Sequence, residues 1–143
     1  MTTWQTQRPT VGQRASRKRT VTHRDSELFT EMTGDGNPLH YDAAAAERSR
    51  FGGIIVQSGV TTGILNAVVA VGEELPGPGS VFLEAHWRFL APGRPGDEIV
   101  GSLEVTGVRD DKPITHLETV VTLADGTVVL SGPAVCYTSS LDQ

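Results

Sequence analysis

The chain of 143 residues has a single cysteine and few aromatic residues, 6% in all. One cysteine excludes an internal disulfide and a zinc site built from several cysteines. Cys136 lies in an apolar run, residues 134–137, and is therefore predicted to be a small core residue. No apolar run approaches the roughly 18 residues of a membrane helix, and the first residues lack the apolar stretch of a signal peptide. These absences favour a cytoplasmic protein.

Positive charge is also scarce, with 12 Lys and Arg against 17 Asp and Glu and a net charge of −5. Nucleic-acid binding usually needs a basic surface, so this balance argues against nucleic acid as the main partner. A cluster of cations near the N-terminus can contact phosphates, but a solvated terminus leading into an edge strand is the favoured explanation: Arg8, Arg14, Arg17, Lys18 and Arg19. We predict a flexible tail over residues 1–12 and a single domain over residues 13–143.

Helices and strands are predicted from capping residues and from the spacing of apolar residues. Thr22 and Asp25 have the spacing of a capping box at the start of a helix over residues 23–32, which follows a strand over residues 14–21. That helix has Leu28, Phe29 and Met32 on one face. Asp42 is expected to cap an alanine-rich helix over residues 43–48.

The longest apolar element is a helix predicted over residues 60–71. It follows an extended segment, residues 51–56, and ends before the Pro-Gly run 76–79. Because its residues are apolar nearly all round, we expect other elements to wrap it.

The C-terminal half is predicted to consist of strands. Residues 98–109, 114–123 and 127–137 form three of them, and Asp125-Gly126 marks a hairpin between the last two. Alternation over residues 81–89 predicts a further strand with one buried face: Val81, Leu83, Ala85, Trp87 and Phe89. Together these elements predict an α+β fold in which an antiparallel sheet wraps round the apolar helix.

Residues 34–40, Gly-Asp-Gly-Asn-Pro-Leu-His, can form neither a regular helix nor a regular strand. Glycines on both sides of Asp35 loosen the backbone, and Pro38 favours extended geometry at Asn37. Asp35 alone would be a turn residue, and His40 alone a structural histidine. Held together in a rigid loop, they predict an acid/base pair aimed into a cleft.

This heptapeptide, with Ala45 or Ala46 downstream, resembles the hydratase 2 motif of MaoC-like (R)-specific enoyl-CoA hydratases. The resemblance covers about residues 29–137. It implies the hotdog fold, an antiparallel sheet wrapped around a long central helix, as a homodimer or higher homo-oligomer. It also implies reversible hydration of trans-2-enoyl thioesters, carried by CoA or acyl-carrier protein, to (3R)-3-hydroxyacyl thioesters. No metal or other cofactor is expected.

The same resemblance assigns roles to single residues. Asp35 and His40 would hold and activate a water, and Asn37 would help to fix the loop. Many relatives have His-Gly-Met at the entry to the central helix, where the glycine amide donates to the thioester oxygen. In this sequence the corresponding residues are Gln57-Ser58-Gly59. A gapless count makes Ser58 the donor, and a one-residue insertion makes it Gly59.

Two other functions stay open at this point. A hotdog thioesterase would hydrolyse the thioester, but its carboxylates usually lie on or near the central helix, and residues 60–71 contain none. The chain can also be one subunit of a heteromeric dehydratase. Because it retains Asp35 and His40, it would be the active partner.

Overall fold

The computed structural model describes residues 3–71 and 76–141. They form an antiparallel sheet of six strands and helices that connect and cover it. In chain order the elements are α1 (Thr3–Gln7), β1 (Arg14–Thr20), α2 (His23–Thr33), a 3-10 turn (Pro38–His40), α3 (Ala43–Arg48), α4 (Ser58–Val71), β2 (Ser80–Ala85), β3 (Arg88–Phe89), β4 (Glu98–Val108), β5 (Ile114–Leu123) and β6 (Val128–Thr138). The predicted α+β class is confirmed.

The strand order in the sheet is β1-β4-β5-β6-β2, with the short β3 also paired to β6. The hairpin between β5 and β6 turns at Gly126, whose φ of 90° suits glycine. The three long strands predicted in the C-terminal half are confirmed to within one residue at each end. Ile99, Leu103 and Val105 of β4 are buried, as their spacing requires.

The strand predicted over residues 81–89 is wrong in two respects. It is broken into β2 and β3, and a bulge between Phe82 and Glu84 shifts its register against β6. Phe82 therefore turns inward against Trp87, with ring centroids 5.6 Å apart, while Val81 and Leu83 are 57% and 55% exposed. Of the five residues expected on the buried face, only Trp87 packs against the core, and Phe89 is 54% exposed.

Helix α4 packs on the sheet through one face and begins two residues earlier than predicted. Its buried side chains Ile64, Leu65, Val68 and Val69 join the two apolar clusters under the strands. Gly101 of β4 permits this close approach, because an added Cβ would lie 2.7 Å from Ile64 Cγ2. The expected packing of other elements around the helix is found on its sheet-facing side, while Gly63 and Asn66 are exposed.

Helix α2 begins with the predicted capping box. Thr22 Oγ1 accepts from the Asp25 amide, and the Asp25 carboxylate accepts from the Thr22 amide at 2.8 Å. The helix ends at Gly34, which has a φ of 81°. On the predicted apolar face, Leu28 and Met32 are 47% and 74% exposed.

The N-terminal segment is in contact with the sheet. Trp4 Nε1 donates to the Arg109 carbonyl at 2.8 Å, and Arg8 lies 3.6 Å from the Asp110 carboxylate. The flexibility predicted for residues 1–12 stays a prediction.

No helix within the described residues combines the length and apolar character needed to cross a membrane.

Candidate active site

The loop between α2 and α3 is held by hydrogen bonds from its own polar side chains. Asp35 Oδ1 accepts from the Asn37 amide at 3.2 Å, and Asn37 Oδ1 accepts from the Leu39 amide at 3.1 Å. Short polar side chains make such turns because they reach backbone donors two residues ahead. The loop is therefore rigid even though it is irregular. Asn37 both caps the turn Pro38–His40 and lines the pocket beside it.

His40 and Asp35 face each other across a short gap. His40 Nε2 lies 3.9 Å from Asp35 Oδ2, beyond direct hydrogen-bond distance. The His40 side chain is 6% exposed and that of Asp35 is 41% exposed. His40 Nδ1 lies 2.7 Å from the Ile55 carbonyl oxygen, which can only accept. The neutral ring therefore carries its proton on Nδ1 and presents an unprotonated Nε2 toward Asp35.

Asp35 and His40 open into a pocket of about 670 Å³. One part of its wall is polar and contains Asp35, His40 and Ser58, whereas another part is apolar: Leu39, Phe51, Ile55, Val56, Phe89 and Leu90. Phe89, predicted to be a core residue, belongs to this wall. A pocket with an apolar wall and a few polar groups suits a small organic ligand.

Two arginines also line the pocket, and they differ in their surroundings. The Arg94 guanidinium donates to the carbonyl oxygens of Phe51 and, at 3.4 Å, Ile54. It therefore holds the extended segment before α4. Arg50 is exposed and lies over the Phe51 ring, 5.4 Å from its centroid. Arg50 is thus a cation available at the pocket.

Ser58 and Gly59 occupy different environments at the start of α4. Ser58 is the first residue of the helix and lines the pocket, so its amide has no acceptor within the helix. Gly59 packs against Phe29 of α2, and an added Cβ would overlap the edge of that ring. The absence of a side chain at Gly59 is therefore explained by helix packing. The structure brings Ser58, not Gly59, to the pocket with Asp35 and His40.

One residue of this region was not predicted from the sequence. Gln57 is 2% exposed, and its amide nitrogen lies within 3.4 Å of three oxygens. The signal for it is a polar residue that directly follows the apolar run 54–56.

Within residues 3–71 and 76–141, no group of three or more His, Cys, Asp or Glu side chains is placed to hold a metal ion.

The profile of the MaoC like domain matches residues 5–127. This chain belongs to the MaoC-like domain family. It is 34% identical over 125 residues to an (R)-specific enoyl-CoA hydratase of Aeromonas caviae, covering 87% of this chain and 92% of that protein. It is 35% identical over 118 residues to a 3-hydroxybutyryl-CoA dehydratase of Methylorubrum extorquens, covering 82% of this chain and 73% of that protein.

The fold of this MaoC-like domain matches that of solved hydratases. The structure of the (R)-hydratase from A. caviae superposes with a TM-score of 0.82 at 32% identity, covering 91% of this chain and 97% of that chain. The predicted hotdog fold is confirmed by this likeness, with α4 as the central helix.

Proposed function

We propose that the chain catalyses the reversible hydration of trans-2-enoyl thioesters to (3R)-3-hydroxyacyl thioesters, which is a hydro-lyase reaction. The observation that carries the proposal is the meeting of three groups at one pocket: Asp35 and His40, 3.9 Å apart, and the first amide of α4, that of Ser58. The names of the A. caviae and M. extorquens relatives support the same substrate class.

In the proposed mechanism, Asp35 and His40 share one water. Its oxygen forms a bond to C3 of the enoyl group, and the π electrons move toward the thioester. His40 Nε2, unprotonated in the neutral ring, accepts the proton that the water loses, and the Asp35 carboxylate accepts a hydrogen bond from the same water. The proton that C2 gains returns from this pair. The protonation states before and after the reaction are therefore the same.

The thioester oxygen gains negative charge as C3 is attacked. The helix dipole favours negative charge at the N-terminus of a helix, and the first amides there can donate hydrogen bonds to that charge. The Ser58 amide has this position, so we assign it the role of oxyanion donor, with Gly59 as a packing residue.

The pocket lining supports an acyl thioester as the ligand. Its apolar wall suits an acyl chain, and the exposed Arg50 suits a phosphate of the carrier. CoA and the prosthetic group of acyl-carrier protein both contain phosphate, so both remain within the proposal. We also propose that the protein is cytoplasmic and acts in fatty acid metabolism.

The proposal is tested by incubating the purified chain with crotonyl-CoA and following the loss of enoyl absorbance. The product is then resolved by chiral chromatography, and we expect the (3R)-3-hydroxy thioester. Free thiol is measured in the same samples. Thiol release without hydration would contradict the proposal and indicate the thioesterase. The (3S) product would contradict the assigned stereochemistry.

We propose further that the chain forms a homodimer through the edge of its sheet. Strand β2 is the last in the strand order, and it carries Val81 and Leu83, which are more than half exposed. An open edge strand with apolar side chains readily pairs with another chain. Light scattering is expected to give twice the chain mass. Leu83→Lys is expected to shift the chain toward monomer, and a wild-type monomer would contradict the proposal.

A further inference from the structure

Gln57 places a carboxamide between α2 and the loop that carries Asp35. Its Nε2 lies 3.3 Å from the Ser26 carbonyl oxygen, 3.2 Å from Thr30 Oγ1 and 3.4 Å from the Asp35 carbonyl oxygen. Two of these acceptors belong to α2, and the third is the backbone of the predicted acid/base residue. A single amide group therefore ties the loop to the neighbouring helix.

The orientation of the Gln57 amide follows from its partners. The carbonyl oxygens of Ser26 and Asp35 can only accept, so the NH₂ group must face them. Oε1 then points away, and among the described residues it has no hydrogen-bond partner although it is buried. A buried amide oxygen without a partner is costly, so the orientation of this amide is set by its donor side.

The Asp35 carbonyl is held from two sides. Thr30 Oγ1 donates to it at 2.7 Å, in addition to the Gln57 contact. Because the carboxylate belongs to the same residue, a shift of this carbonyl also shifts Oδ2 relative to His40 Nε2. The position of the carboxylate thus depends on the two donors behind it.

The segment that carries Gln57 also holds the other members of the proposed site. Ile55 accepts from His40 Nδ1 at 2.7 Å, and its own amide donates to the Leu39 carbonyl at 3.2 Å. Ser58, with the proposed oxyanion amide, directly follows Gln57. Residues 55–58 are therefore joined to both ends of the loop.

We infer that Gln57 is a positioning residue, which sets the place of the Asp35 carboxylate relative to His40 and to the Ser58 amide. The inference rests on the proposed hydration reaction. Gln57 also lines the pocket, but its amide nitrogen faces α2 and the back of the loop. It acts through Asp35.

The test substitutes Gln57→Met, which keeps the length of the side chain and removes the amide. We expect kcat for crotonyl-CoA hydration to fall by about 10- to 100-fold with KM within about threefold, because small misplacements of catalytic groups are costly. In an Asp35→Asn background, the same substitution should lower kcat by less than about twofold, since no carboxylate remains to be positioned. A residue that serves only stability would have the same effect in both backgrounds.

Thr115→Val is the matched control, because Thr115 is also fully buried with a hydroxyl that has no partner among the described residues, but it lies on β5. Its kcat should stay within about twofold of wild type. If Gln57→Met does not fold, Thr30→Val must give the same kcat loss and the same dependence on Asp35. Unchanged kcat in a folded variant, or equal losses in both backgrounds, would overturn the inference. Full activity of Asp35→Asn alone would instead overturn the proposed function.

Discussion

Replacing Asp25 with alanine is expected to destabilise the fold through the start of α2. The Asp25 side chain is 9% exposed. Its Oδ2 accepts from the Thr22 amide at 2.8 Å, and its Oδ1 accepts from the Arg19 guanidinium. Asp25→Ala leaves both donors without this acceptor. The effect matters for the site, because α2 also carries Thr30, which holds the Asp35 carbonyl.

The size of the effect follows from these two groups of contacts. The Thr22 N-cap stays in place, and loss of the reciprocal hydrogen bond from the Thr22 amide costs about 1 kcal/mol. Hydrogen bonds to charged groups contribute about 1.5–3 kcal/mol, and the lower end applies here because Arg19 is 47% exposed and can bind water instead. We therefore expect a loss of about 2–3 kcal/mol in the free energy of unfolding at pH 7.

The pH dependence has a definite sign. Burial acts to raise the pKa of Asp25, but the hydrogen bonds from Arg19 and from the Thr22 backbone outweigh it, so this pKa lies below its ordinary value. The carboxylate therefore stabilises the fold fully above its unfolded pKa of about 3.9 and loses this contribution as the pH falls through the lower folded pKa. The stability difference between wild type and Asp25→Ala should shrink on acidification below about pH 4.

Urea unfolding at fixed protein concentration, followed by circular dichroism, measures this effect. With a slope of about 1–3 kcal/mol per molar urea, the midpoint should fall by about 1 M. Asp111→Ala is the matched control, because Asp111 accepts from Arg109 at 2.9 Å and 2.7 Å but is exposed. It should leave the midpoint unchanged. Equal midpoints for the two variants, or a difference that grows with acidity, would refute the reasoning.

Further substitutions and one thiol-labelling reaction test other parts of the structure. Ser58→Pro removes the first amide N–H of α4 at a position where proline is tolerated, and should lower kcat by about 10²–10³ with little change in Tm; Ser58→Ala, which removes the hydroxyl alone, should keep most of the activity. Gly59→Ala should lower Tm, because the new Cβ overlaps Phe29; equal Tm values for this variant and wild type would contradict the packing role. Burial raises the pKa of the Cys136 thiol to about 12, so a thiol reagent at pH 8 should label it only after denaturation; rapid labelling of the folded chain would contradict this.

Much of the fold could be predicted because its signals are local. The capping box at Thr22 and Asp25 and the hairpin at Asp125-Gly126 each depend on residues within a few positions of one another. The long strands also follow directly from alternation. Strand β2 was misassigned because a bulge opposite β6 reverses which residues face inward, and the alternation of one strand contains no information about its partner.

The candidate site divides in the same way. Asp35 and His40 lie five residues apart in one loop, so their chemistry could be predicted from the sequence. Gln57 could not, because its role depends on how α2 crosses the start of α4. The choice between Ser58 and Gly59 also needed the position of a residue distant in sequence, Phe29.

The central claim is that Asp35 and His40 act as one acid/base pair. The most direct measurement is kcat for crotonyl-CoA hydration by Asp35→Asn, His40→Ala and the double variant, each checked for folding by circular dichroism. Each single substitution should lower kcat by about 10²–10⁴, and the double variant should be no more than about threefold slower than the slower single variant. Wild-type activity in either folded single variant would contradict the claim.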